Sequence, residues 1–260
     1  MSAFSEMLAV PVPPETETVQ QMDYVTYHLS LLPRGSSDDT SGAFENCITL
    51  RESRWLLASA GATGYRTWEA GLHLGQYLCA EPDVVRGKRV LELGTGTGYV
   101  SVICAKYLGA ARVIASDGAD GVLSGLADTM FLNGLQGSEA FVPKELIWGS
   151  ALVGTEEEKW IGGEEVDIVL GSDVTYDTRA IPALIGTLDE LFNLYPKVQV
   201  LICTAERNIA TLNTLLDLCR GAGMAVRWIT FPTPTREEQW GPFYDTSVPI
   251  HIVEIRRSGA

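Results

Sequence analysis

The sequence predicts a doubly wound α/β fold, built on a mostly parallel seven-stranded sheet with an antiparallel terminal strand. Three observations predict it. Short apolar runs alternate with longer amphipathic stretches from residue 68 to residue 219, the order that builds a parallel sheet covered by helices on both faces. One of these runs, with Val90, Leu91 and Leu93, leads into Gly94-Thr95-Gly96-Thr97-Gly98; alternate glycines let a backbone bend sharply and come close to a ligand. The chain then closes on two strand-like runs, 224–231 and 249–256, with only a loop between them, which predicts an antiparallel hairpin added to an edge.

Taken in order, residues 1–47 read as an N-terminal arm and loop, a possible substrate-contacting extension to a single domain over 48–260. Pro11, Pro13 and Pro14 and the Gly/Ser/Asp-rich stretch 34–42 break any regular pattern there. Between them, 22–32 alternates as a short strand does, and 48–57 reads as another, leading into Gly61-Ala62-Thr63-Gly64. The first helix is expected over 68–79, capped by the Thr67 hydroxyl, with Leu72, Leu74 and Leu78 facing inward. Strands follow at 89–93, 112–116, 144–148, 166–171 and 198–204, and helices at 99–108, 121–132, 179–194 and 208–219.

Composition narrows the function. The chain has 260 residues, 46% of them hydrophobic, enough for one large domain, and no apolar stretch approaches the ~18 residues of a membrane span. No basic region followed by an apolar run opens it, so a cytoplasmic protein without a secretory signal is expected. With 19 Lys and Arg against 33 Asp and Glu, the net charge is −14. Such a balance argues against a nucleic-acid partner, whose phosphates draw their binding energy from Lys and Arg, and favours a basic target. The acidic runs 156–158 and 164–165 are read as solvated loops. Cys47, Cys79, Cys104, Cys203 and Cys219 are scattered without a C-x-x-C pair, and His28, His73 and His251 lack metal-ligand spacing; thiols in a reducing compartment and no metal are expected. The chain is taken as a monomer.

The glycine turn separates two cofactor classes. Dinucleotide enzymes use G-x-G-x-x-G to set a helix N-terminus against a pyrophosphate. Here the pattern is E-x-G-x-G-x-G, with Glu92 two residues before Gly94. A carboxylate there repels a pyrophosphate but accepts a bond from an ammonium group or from water beside it. S-adenosylmethionine carries an amino-acid end and no phosphate, so it is the expected cofactor. Asp117, closing the run Val113-Ile114-Ala115, stands about ~20 residues past the turn, where an acidic side chain meets a ribose diol.

In doubly wound sheets the ligand sits beyond the carboxyl ends of the strands. That rule selects the glycine turn, Asp117, Trp148-Gly149 and Ser172-Asp173-Val174-Thr175-Tyr176. Trp148 offers a flat face to adenine. Asp173 and Tyr176 put a carboxylate and a phenol at the mouth of the sheet. For an amine substrate, Asp173 would orient the nitrogen or take its proton through water, while Tyr176 would wall the methyl path and accept a hydrogen bond. The structural alternative for this pair is an Asx-turn beside a packing tyrosine. For Gln239-Trp240-Gly241-Pro242-Phe243-Tyr244, the aromatics either line an entrance or brace the last hairpin.

Together, Thr67-Trp68-Glu69-Ala70-Gly71, the run 90–98, Trp148-Gly149 and Asp173-Val174-Thr175-Tyr176 resemble the seven-β-strand, class I, protein-lysine methyltransferases marked by a D-x-x-Y motif. Gly61-Ala62-Thr63-Gly64-Tyr65-Arg66-Thr67-Trp68-Glu69-Ala70 and 171–177 look most like the branch that methylates translation elongation factor 2. The resemblance covers 48–256 and implies that Trp68, Gly94, Thr95, Gly96, Asp117, Trp148 and Ser172 contact S-adenosylmethionine, to which the reading of the turn adds Glu92, and that Asp173 and Tyr176 face the target lysine. Ser172 stands where many relatives carry alanine, and the N-terminal region is shorter than is usual in that branch, implying a truncated or divergent form. The alternatives are methylation of another protein such as a chaperone, or of a small molecule, and a non-catalytic cofactor-binding module. An NAD-dependent oxidoreductase is disfavoured by the glycine spacing.

Overall fold

The computed structural model describes residues 22–33, 46–53, 63–152 and 165–258. Gly61 and Ala62, the end of the 48–57 strand, and the acidic residues 156–158 and 164 lie outside them.

Nine strands and five helices are described. Strands β1 (Asp23–His28) and β2 (Cys47–Glu52) form a separate antiparallel pair. Then come α1 (Glu69–Ala80), β3 (Arg89–Leu93), α2 (Tyr99–Lys106), β4 (Arg112–Asp117), α3 (Asp120–Leu132), β5 (Phe141–Glu145), β6 (Ile168–Ser172), α4 (Ile181–Leu194), β7 (Gln199–Ala205), α5 (Ile209–Gly221), β8 (Met224–Ile229) and β9 (Ile250–Arg257). The main sheet has seven strands in the order β5-β4-β3-β6-β7-β9-β8. Pairs β3–β4, β4–β5, β3–β6 and β6–β7 are parallel, and β9 is antiparallel to both its neighbours. The doubly wound sheet is therefore as expected, with one refinement: the closing hairpin folds back so that its second strand pairs with β7 and its first forms the edge.

The period of two along each strand sorts side chains onto two cores. Val90, Val113, Leu170 and Cys203 pack towards α1, α2 and α3, while Leu91, Leu93, Val169 and Ile202 pack towards α4 and α5. Central strands buried on both faces are accordingly rich in apolar residues. The β1–β2 pair lies on the first of these faces. Ile48 and Leu50 are fully buried, and Asn133 at the end of α3 bonds both the N–H and the C=O of Thr49, at 3.1 and 2.8 Å.

Two sequence expectations are corrected. β5 is Phe141–Glu145, not 144–148: Phe141 is buried and pairs with Val113, and the ladder ends at Glu145 opposite Asp117. Pro143 and two charges made the segment look unlike a strand, but β5 is an edge, where a missing N–H and outward charges are tolerated. Trp148 thus belongs to the loop past the strand. Thr67 does not cap α1 either. Trp68 occupies the N-cap position without a side-chain hydrogen bond, and the Thr67 hydroxyl is taken up by Glu52 and Thr97, both at 2.6 Å.

The chain runs outward from β3 through β4 to β5, then returns to β6 on the other side of β3. That reversal opens a crevice between the ends of β3 and β6, the place where open α/β sheets bind ligands.

Candidate functional site

A cleft of about 800 Å³ occupies this crevice. Every residue that the sequence singled out for cofactor or chemistry lines it: Trp68, Glu92, Gly94, Thr95, Gly96, Asp117, Trp148, Ser172, Asp173 and Tyr176. They come from the ends of four strands and the start of α1, which explains their spread along the chain.

The glycine turn forms the floor. Gly94 and Gly96 both have positive φ, 63° and 54°, a region that side chains rarely adopt. A Cβ on Gly94 would come within 2.9 Å of Val174, and one on Gly96 within 3.3 Å of the Gly64 carbonyl oxygen. Asp117 fastens the turn: one carboxylate oxygen accepts the Gly96 N–H at 3.1 Å and the other the Ala119 N–H at 3.1 Å. Burial pushes the Asp117 carboxyl above its usual range, and these backbone N–H groups oppose that shift.

Glu92 lines the cleft and is also held by donors from within the protein. It is almost wholly buried, and its Oε2 accepts the Ser101 N–H at 3.0 Å, the Ser101 hydroxyl at 2.5 Å and the Thr95 hydroxyl at 2.8 Å. That carboxylate oxygen clamps the glycine turn to the first turn of α2. Burial pushes the Glu92 carboxyl up to about 7, with the three donors opposing. A pH dependence follows from the sign of this shift. The folded protein binds the proton more tightly than the unfolded chain, so this group's contribution is intact below about 4.5 and is lost as pH rises towards about 7. Glu92→Gln should therefore gain stability relative to wild type by on the order of 3 kcal/mol between pH 4.5 and pH 8. Urea unfolding of the cofactor-free proteins at both pH values checks this, and a pH-independent difference would refute it.

At the mouth, Trp68 donates its indole N–H to the Thr63 carbonyl at 3.1 Å. The guanidinium carbons of Arg66 and Arg207 lie 5.2 and 5.3 Å from its ring, within cation–π range. Trp148 packs its ring edge against the Gly94 backbone, which a side chain at Gly94 would obstruct. Gly149, beside it at positive φ, donates its N–H to the Thr187 hydroxyl at 3.0 Å. Ser172 lies close to Gly71, where an added Cβ would come 3.3 Å from its hydroxyl.

Asp173 follows β6 in a left-handed conformation, φ 52°, and is buried. Its Oδ1 accepts the Ala205 N–H at 3.1 Å and its Oδ2 accepts Arg207 Nη1 at 3.0 Å. Each oxygen retains a further lone pair for a substrate. Burial pushes the Asp173 carboxyl up; Arg207 acts against that. Tyr176, in contrast, is 58% exposed, on the rim of the cleft.

Two features escaped the sequence reading. Arg207, just past β7, obeys the same strand-end rule that picked out the other residues, so the signal was present. The Tyr27–Glu52–Thr67–Thr97 chain had no such signal: Tyr27 donates to Glu52 at 3.1 Å and Glu52 accepts from Thr67, joining the β1–β2 pair to the glycine turn. The 239–244 stretch is anchored to the chain after β1 and to α1. The Gly241 carbonyl accepts Ser30 Oγ at 2.6 Å and Gln76 Nε2 at 2.7 Å, and the Tyr244 hydroxyl shares a 2.9 Å bond with buried His73. Phe243, 68% exposed, borders a second groove that shares Arg66 and Thr67 with the main cleft.

The donor set fits S-adenosylmethionine better than a dinucleotide. Carboxylates Glu92, Asp117, Asp120 and Asp173 line the cleft, against the arginines Arg66 and Arg207, both of them engaged with Glu69. Such a lining suits a sulfonium and a ribose diol and opposes a pyrophosphate. Gly94 and Gly96 meanwhile leave the backbone bare for close approach.

Comparison with known proteins agrees. A crystal structure of a SAM-dependent methyltransferase from Aquifex aeolicus matches with a TM-score of 0.50 at 14% identity, over 71% of this chain and 90% of that one, a likeness of fold alone. A protein-lysine N-methyltransferase EFM3 from Chaetomium thermophilum is 52% identical over 99% of this chain and 74% of its own length. The human protein-lysine N-methyltransferase EEF2KMT is 32% identical over 67% of this chain. This chain spans only 51% of that human relative and 56% of the Saccharomyces cerevisiae EFM3. The family model described as lysine methyltransferase matches residues 56–217, and with more than half of its length so matched the chain belongs to the lysine methyltransferase family.

Proposed function

We propose that this S-adenosylmethionine-dependent lysine methyltransferase acts on translation elongation factor 2 in the cytoplasm. The observation that carries the reading of the site is the convergence of the glycine turn, Asp117, Trp148, Asp173 and Tyr176 on one cleft at the sheet's reversal point. The choice of substrate rests on the stretch 61–70, which is similar to the elongation factor branch, and on the human relative named EEF2KMT. Among the described residues no helix is long and apolar enough to cross a membrane.

When bound, S-adenosylmethionine supplies a methyl group activated by the adjoining sulfonium. The chain's own residues do the rest. Trp148 would hold the adenine ring and Asp117 the ribose hydroxyls, and the Gly94-Thr95-Gly96 turn, Trp68 and Ser172 would complete the cofactor's contacts. Asp173 accepts a hydrogen bond from the incoming lysine nitrogen and thereby aims its lone pair, because a nucleophile must be both deprotonated and oriented to attack. Tyr176 walls the entrance.

The test is direct. The purified protein, given tritiated S-adenosylmethionine and purified elongation factor 2, should label one region of that factor, with methyl-lysine found by mass spectrometry. Label appearing instead on another protein of a lysate, or only on small molecules, would reassign the substrate. Cofactor binding without any transfer would reduce the chain to a binding module.

A further inference from the structure

We propose that Arg207 is the positioning residue for the Asp173 carboxylate, and that the bridge Asp173–Arg207–Glu69 sets the protonation and direction of that carboxylate at the mouth of the cleft. The inference rests on the reading of Asp173 as the group that faces the lysine.

Its geometry joins three elements that are distant in sequence. Arg207, after β7, places Nη1 3.0 Å from Asp173 Oδ2, after β6, and Nη2 2.5 Å from Glu69 Oε2, in the first turn of α1. The guanidinium also lies over the Trp68 ring. A planar fork pre-organised for two acceptors loses less freedom in such a bridge than an ammonium would. The Ala205 N–H holds the other oxygen of Asp173, so the carboxylate cannot rotate freely towards or away from the cleft.

The charges explain why an arginine is useful there. Asp173 is buried, which favours its neutral form. A neutral carboxyl would offer the amine no negative charge and could not take up its proton. Arg207 opposes that preference without cancelling it. Arg66, 3.5 Å from Glu69, completes a set of two arginines and two carboxylates. The set is balanced in charge, so it does not hold an approaching ammonium as strongly as a lone carboxylate would, and release of the lysine proton is easier. Among the described residues, the buried Cys203 thiol of β7 also interacts with Asp173, and burial pushes it well above its usual range and so keeps it neutral.

The experiment pairs Arg207→Met, which keeps length and removes charge, with Arg207→Lys, which keeps charge and removes the fork. In the cofactor-free proteins, the Asp173 carboxyl carbon is followed by 13C NMR during a pH titration. Its midpoint should rise by more than one pH unit in Arg207→Met, with Arg207→Lys in between. With elongation factor 2 as substrate, Arg207→Met should lower kcat at least tenfold and move the acid limb of the pH profile upward. In an Asp173→Asn background the same substitution should have little further effect. An unchanged Asp173 midpoint, or rate losses that simply multiply in the double variant, would overturn the assignment. If wild type fails to label elongation factor 2, the substrate reading falls, while the titration still decides the role of Arg207.

Discussion

Asp173→Asn is expected to lower methyl transfer by ~10²-fold or more while changing S-adenosylmethionine affinity less than about threefold, in keeping with the ~10²–10⁴-fold typical of a positioned proton-handling group. Asparagine is the informative replacement. It matches aspartate in shape and tolerates the left-handed backbone at this position, φ 52°, whereas alanine adds strain to the loss of the carboxylate. The Ala205 N–H can still bond the amide oxygen, so the loop after β6 should keep its path. What disappears is the negative charge that Arg207 braces and that a lysine nitrogen would meet. Calorimetry with the cofactor and a rate assay with saturating protein substrate separate the two effects. An unchanged rate would remove Asp173 from the site; a parallel collapse of both would make it a structural residue.

Gly96→Arg should abolish detectable S-adenosylmethionine binding, a loss of more than a hundredfold. Gly96 sits at φ 54°, and even a Cβ there would meet the Gly64 carbonyl oxygen at 3.3 Å and the Gly64 Cα at 3.4 Å. A long side chain must either displace the loop before α1 or turn into the cleft, and both destroy the floor. The bond from the Gly96 N–H to Asp117 would be strained as well, loosening the carboxylate assigned to the ribose. Gly96→Ala should give a smaller loss of affinity, since only the Cβ contact and the unfavourable φ are added. Circular dichroism establishes that the variants are folded, and calorimetry reads the binding. Normal affinity in Gly96→Arg would show that the cofactor sits elsewhere.

Much of this site was legible because its parts obey a local rule. β3 and β6 each carry a short apolar run, Val90-Leu91 with Leu93 and Ile168-Val169-Leu170, and the residues immediately beyond them carry the glycine turn and Asp173-Val174-Thr175-Tyr176. A strand buried on both faces has no other way to be written, so its end, and whatever stands there, can be read directly. β5 was misplaced because an edge strand is free of that constraint and admits Pro143, Lys144 and Glu145. Glu92 was found at the cleft, but the partners it has within the protein were not legible. Its spacing to Gly94 is a sequence fact; the three donors from Thr95 and Ser101 that occupy its Oε2 depend on how α2 leaves the turn.

What the sequence alone determined is most of the strands and helices, the mostly parallel character of the sheet and the chemistry waiting at the strand ends, since hydrophobic period and glycine spacing act over a few residues. Only the tertiary structure decided which of these groups meet. Arg207 reaches Asp173 and Glu69, Thr67 leaves its cap position for Glu52 and Thr97, and Gly241 is held by Ser30 and Gln76. Each of those contacts joins residues far apart along the chain, and their partners are fixed by the directions in which packed elements point rather than by any local pattern.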